Sequence, residues 1–329
     1  MSSIVALYST TLSQILSNII LSIDLITFIF GIIGCIGNLI TFTNRKIRQS
    51  SSVFYLLCAT IFELITILIC VSLRLFSDRS GSNLLNESSL FCKFRYYFAL
   101  TLPTICSYYI FLSTLDRYFC ISANAKIRSR SQIKIAKRIS TVMLILSITI
   151  PIHILIFYNI YNNLCQIQPS SIYIYINASY TIIIVIFLPH ILMLIFSLMT
   201  INTFKQSQQR VFPAITENRT SNRRKTFEIK LLKIILIQVF LSISLSLLRF
   251  GSFTYRNIVF NIINPTVAHR AVVVFAETLG SSLYFFNYAL SFYVSIISSK
   301  FFRNVFYERI IIFYRHSFQK LVQRNVQNH

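Results

Sequence analysis

Few residues in this chain have a type and a spacing suited to chemistry. Asp116-Arg117-Tyr118 sets a carboxylate beside a guanidinium at the end of an apolar run. A guanidinium there is incompletely hydrated and takes a carboxylate or the carbonyls of a partner. Glu63 stands in the middle of another apolar run, where a carboxylate is costly and faces a polar interior or water. Two readings are open for it: a protonated acid bonded to a neighbouring helix, or a group whose protonation or hydration changes as helices move. Gly-x-Ser-x-Gly, His-Glu-x-x-His and paired aspartates within apolar runs are absent, so no enzyme is expected. His153 and His190 stand singly in separate runs and read as packed or hydrogen-bonded rather than as metal ligands. No metal or cofactor is expected.

The elements that position these residues follow from composition. The chain has 329 residues, 55% hydrophobic and 12% charged, with a mean hydropathy of +0.66. Too few polar side chains remain to cover a water-soluble globule of that size. Apolar segments run from about Ile19 to Phe42, Val53 to Phe76, Phe94 to Ile121, Ile139 to Tyr161, Tyr180 to Phe204, Leu231 to Phe253 and Ala271 to Ile297. Roughly 20 helical residues span about 30 Å of hydrocarbon, so each is long enough to cross. Pro103 and Pro189 fall inside the third and fifth, where kinks rather than ends are expected.

The net charge of +22 would suit a nucleic-acid partner on a soluble domain. Here Lys and Arg sit in short clusters between apolar runs, so the charge reads as topology and no nucleic acid is expected. Arg45, Lys46 and Arg48 follow the first segment, the stretch from Lys126 to Arg138 follows the third, that from Lys205 to Lys233 the fifth, and Lys300, Arg303 and Arg309 begin the tail. These faces belong inside, against anionic lipid, with the amino terminus outside. No amino-terminal signal peptide is evident, because no basic residues precede the first apolar stretch.

Five of the seven cysteines fall within or at the inner ends of apolar segments. Cys92 and Cys165 remain on the expected outer side, where a disulfide forms and persists. Asn86-Glu87-Ser88 and Asn177-Ala178-Ser179 are sequons in the expected outer loops, so Asn86 and Asn177 are glycan candidates. Cys92 also stands 25 residues before Arg117, roughly 37 Å along one helix, about a membrane with its interfaces.

With these residues in place the chain resembles the rhodopsin-like family of G-protein-coupled receptors, over almost its whole length. Gly37-Asn38 matches the first-helix Gly-Asn, Cys92 and Cys165 the disulfide from third helix to second outer loop, and Asp116-Arg117-Tyr118 the third-helix motif. Pro189 matches the fifth-helix proline, Tyr293 the tyrosine closing the seventh-helix motif, and Phe301-Phe302-Arg303 the start of an amphipathic eighth helix. The resemblance implies an all-α membrane protein at the plasma membrane: an extracellular segment 1–18, a seven-transmembrane helix bundle over 19–299, and a cytoplasmic tail 300–329 with a short amphipathic eighth helix. It implies a receptor that takes an extracellular ligand and activates a heterotrimeric G protein.

Several positions depart from that pattern. The sixth helix has no Cys-Trp-x-Pro, the chain has no tryptophan, and Leu248 stands near the proline position. Ala289-Leu290 replaces the seventh-helix Asn-Pro, Glu63 the second-helix aspartate, and Ser197 the fifth-helix tyrosine. Asn38, Glu63 and Pro189 are assigned to the bundle interior.

The resemblance also places Glu228 where the family often has an acidic partner for the third-helix arginine. An Arg117–Glu228 lock and a local Arg224–Glu228 pair are both open. Ala99 and Leu283 occupy the positions of an amine-binding aspartate and a retinal lysine, so neither an amine nor retinal is expected. Arg74, Arg95, Arg249 and Glu277 remain as ligand candidates near the outer ends, with Arg249 and Glu277 facing each other; a peptide with acidic residues or a free carboxylate would suit them. Each can equally snorkel to the lipid interface. The rival class, a membrane transporter or channel, calls for internal repeats or discontinuous helices, and neither is evident.

Overall fold

The structure, a computed structural model, describes residues 2–44, 47–79, 88–122, 124–161, 164–168, 171–210, 219–262 and 266–311. The apolar runs fold as helices because backbone groups shielded from water must bond within their own segment. Among the described residues, six stretches are long and apolar enough to cross a membrane: Gln14–Phe42, Ser51–Phe76, Ser89–Ile121, Ile133–Phe157, Tyr173–Phe204 and Lys233–Arg256. This is the make-up of an all-α, multi-pass membrane protein.

Helix α1 spans Ser2–Phe42, beginning well before the expected boundary at Ile19. Helix α2 (Ser51–Thr66) passes through a π-helical turn, Ile67–Val71, into α3 (Ser72–Arg79). Helix α4 spans Ser89–Ile121 and carries Pro103 inside it. A short α5 (Ala125–Arg128) leads to α6 (Ile133–Thr149), a 3-10 turn at Ile150–Ile152 and α7 (His153–Phe157). The last residues of the expected fourth span then leave the helix: Tyr158–Tyr161 forms β1, paired antiparallel with β2 (Leu164–Ile167).

The fifth span starts earlier than expected, as α8 (Tyr173–Tyr180), a π turn (Thr181–Phe187) and α9 (Leu188–Arg210). Pro189 directly follows that wide turn, where a missing N–H is absorbed by the altered bonding register. Helix α10 (Arg219–Ile262) is unbroken, in keeping with the absence of proline from its sequence. Helix α11 (Val267–Ser298) is long but is not among the six most apolar stretches. Its Ser282, Asn287, Ser291 and Ser295 are buried, and it packs along α1 and α10. Its polar groups face other helices, which lowers its hydropathy without exposing them to lipid.

Helix α4 is the central member: 72% of its most apolar 18-residue stretch is buried, against 22–44% for the other five. One apolar core, around Tyr55, Tyr109, Met193 and Ile235, surrounds its second half; another, around Cys106, Tyr284 and Tyr288, lies nearer its start. Helix α1 approaches α11 closely. A Cβ on Gly34 would stand 3.0 Å from the Ala289 carbonyl oxygen, so only glycine permits that backbone contact without a shift.

Residues 300–311 are helical. Phe302 and Val305 are buried there, with Phe302 edge-on to Phe42 at 5.8 Å. Arg303 donates to the carbonyls of Ile296 and Ile297, and Arg309 to that of Thr43. Basic side chains thus satisfy carbonyls at the ends of α11 and α1 that their helices leave free.

Candidate functional site

Two ends of α4 and a polar middle carry the candidate chemistry. At the first end, Cys92 of α4 is bonded to Cys165 of β2, with Cα atoms 5.6 Å apart. Ile160 pairs opposite Cys165 in the hairpin, Tyr158 stacks on Tyr96 of α4 with centroids 4.3 Å apart, and Ser89 Oγ donates to Asn159 Oδ1 at 2.7 Å. The hairpin is therefore fastened across the start of α4 by a covalent bond, a ring stack and a hydrogen bond.

Beside it lies a cavity of about 380 Å³ whose wall includes Arg74, Arg95, Arg249 and Glu277 together with Tyr158 and Asn177. The four charged residues singled out in the sequence thus share one cavity. Their partners differ from expectation. Arg74 donates from Nε to Asp24 Oδ2 at 3.0 Å and from Nη2 to Ser282 Oγ at 2.7 Å, and Asp24 is fully buried. Glu277 accepts from Arg256 Nη1 at 2.5 Å, so the expected facing of Arg249 and Glu277 is not the bond that forms. Arg256 lies about two turns beyond Arg249 on the same helix face and meets the carboxylate first. Arg249 instead stacks over Tyr284 at 4.7 Å and Phe285 at 6.0 Å. Its buried Nη1 has no hydrogen-bond partner among the described residues.

Asn177, expected in an outer loop, is helical. It sits in α8, only 9% exposed, with Nδ2 donating to the Tyr158 hydroxyl at 3.4 Å and Oδ1 buried without a partner among the described residues. Asn86 lies outside the described residues.

At the other end of α4, Asp116 accepts from Ser51 Oγ at 2.8 Å and from Ser52 Oγ. Arg117 is 1% exposed and donates from Nε to Ser52 Oγ at 2.6 Å and from Nη2 to Ser50 Oγ at 2.7 Å. The three serines form the start of α2, whose free N–H groups favour a nearby carboxylate. Sequence reasoning missed them, although three consecutive serines before an apolar run are a usable signal for a helix start. The Tyr118 ring lies 5.8 Å from that of Phe196. The Glu228 side chain lies outside the described residues, though its backbone belongs to α10.

Two polar networks occupy the middle. Asn38 Nδ2 donates to Ser291 Oγ at 2.8 Å, and Ser291 Oγ donates to Glu63 Oε2 at 2.9 Å. Glu63 is therefore bonded to a neighbouring helix, as one of its two readings requires. Beyond Pro189, His190 Nδ1 bonds the Ile186 carbonyl at 2.6 Å while Nε2 lies 2.9 Å from Ser242 Oγ, which also accepts from Asn287 Nδ2 at 3.1 Å. A carbonyl can only accept, so Nδ1 carries a proton. Tyr293 lies apart from both, its hydroxyl donating to the Phe30 carbonyl at 3.2 Å.

Among the described residues no group of three His, Cys, Asp or Glu side chains could hold a metal ion. No protein-family model matches this sequence, and no curated protein matches it.

Proposed function

We propose that this chain is a seven-helix receptor of the rhodopsin-like type: an extracellular ligand enters the cavity under the disulfide-tied hairpin, and a heterotrimeric G protein docks at the Asp-Arg-Tyr end. One observation carries this reading. A single central helix has a basic and aromatic cavity at its start, with Tyr158 of the hairpin in its wall, and a buried Asp116-Arg117 cluster at its end. A ligand site and a partner site joined by one rigid element is what transmission across a membrane requires. In this reading α11 is the seventh span, the helix at 300–311 lies on the inner surface of the plasma membrane, and the basic loops meet anionic lipid.

Arg117 donates to two serine hydroxyls at the start of α2, and a partner's carbonyls can take over hydrogen bonds of that kind at modest net cost. The test is nucleotide exchange on purified G proteins by the protein in lipid discs, with Arg117→Ala alongside. Exchange above the protein-free rate, lost in Arg117→Ala at unchanged yield, is the expected result. No exchange on any G-protein class, together with solute flux in vesicles, would replace this reading with a transporter.

A further inference from the structure

Within the cavity the charged groups are unequally committed. Arg74 is held by Asp24 and Ser282, and Glu277 is held by Arg256. Arg249 has neither a carboxylate nor a hydrogen bond to its guanidinium among the described residues; its only contacts of note are the faces of Tyr284 and Phe285. A half-buried guanidinium gains a great deal from an anion, and stacking on an aromatic face leaves its in-plane N–H donors available for one. Across the same wall, Asn177 has only one end of its amide engaged, by the Tyr158 hydroxyl. A buried amide with an idle end is a second unmet demand, and it calls for a hydrogen-bonding group rather than a charge.

The geometry points to a ligand bearing a carboxylate that lies on Arg249 and, next to it, an amide that meets Asn177. This is the chemistry of an N-acylated amino acid, either free or as the carboxyl-terminal residue of a peptide. The 380 Å³ cavity suits a group of that size, and Phe250, Phe253 and Phe285 in its wall give an apolar side chain a place to pack. The inference rests on the receptor reading for the origin of the ligand, but not for its binding, which needs no G protein.

The experiment uses the full chain in lipid discs and follows its melting temperature against increasing probe. The probes are N-acetylated Phe, Tyr, Leu, Ile and Met, each as the acid and as the carboxamide, with N-acetyl tripeptides ending in the same residues. At least one acid should stabilise the protein, with its carboxamide weaker by about tenfold or more, the loss of a hydrogen-bonded charge. Arg249→Gln should erase the preference for acid over carboxamide, and Arg249→Lys should keep part of it, since a point charge replaces a planar fork. Asn177→Ala should bring N-acetylphenylalanine close to 3-phenylpropionate, which lacks the amide. Tighter binding of the tripeptides assigns the site to a peptide terminus, and equal or weaker binding to a free acyl amino acid. Acid and carboxamide binding alike, no acid in the set stabilising the protein, or an undiminished acid preference in Arg249→Gln and Arg249→Lys would each overturn the inference. Acid binding without any nucleotide exchange would leave the anion site standing and remove the receptor reading alone.

Discussion

Ser52 holds two charged side chains at once, donating to Asp116 and accepting from Arg117 Nε. Ser51 serves Asp116 only, among these two, and shares its hydroxyl with Ser131. Removing Ser52 Oγ therefore takes a hydrogen bond from each of two buried charged groups, whereas removing Ser51 Oγ leaves a carboxylate that still has Ser52. Ser52→Ala should lower stability by about 1–3 kcal/mol and Ser51→Ala by clearly less, read as melting temperatures of the purified variants in lipid; equal losses would contradict the bridging role. The Asp-Arg-Tyr tripeptide was legible in the sequence because adjacent charges at the end of an apolar run are rare. Its partners were not, because they come from another helix, and nothing in linear order says which hydroxyls will face it.

At the scale of elements, Asp24, Arg74 and Ser282 pin α1, α3 and α11 together in a region where helices gain little from apolar contact alone. Arg74→Met should destabilise the protein by about 3–5 kcal/mol by leaving Asp24 uncompensated, while Asp24→Leu combined with Arg74→Met should recover most of it. Urea or thermal unfolding in mild detergent measures both, and a double variant no better than the single one would show that the pair is not coupled. The hairpin offers a second case. Its disulfide joins residues 73 apart in sequence, so Cys165→Ser should cost about 2–4 kcal/mol and admit a thiol reagent at Cys92; a blocked Cys92 and an unchanged melting temperature would argue that the ring stack and Ser89 suffice. The existence of these helices was readable from hydropathy, as were Pro103 and Pro189 as interior prolines. The π turns, the strand pair and the early starts of the first and fifth spans were not, since local hydropathy carries no record of backbone hydrogen-bond register.

For the whole molecule, the clusters of Lys and Arg after the first, third and fifth segments set the expected orientation. An epitope at the amino terminus should be stained on intact cells and one at the carboxyl terminus only after permeabilisation; the reverse pattern would invert the threading and place the hairpin inside the cell. The sequence by itself indicated that this chain is a multi-pass helical membrane protein, because backbone in hydrocarbon must bond within a helix or a closed barrel and these continuous apolar runs have the length of helices. It also marked Cys92, Cys165, Arg117 and Glu63 as residues unlike their surroundings. Only the tertiary structure decided the pairings: Arg74 with the unsuspected Asp24, Glu277 with Arg256, Asn177 with Tyr158, and Arg249, among the described residues, with aromatic faces. A charge in a helix bundle takes whichever partner the packing brings within about 3 Å, and that distance is set by how the long helices lie against one another, which no single helix encodes.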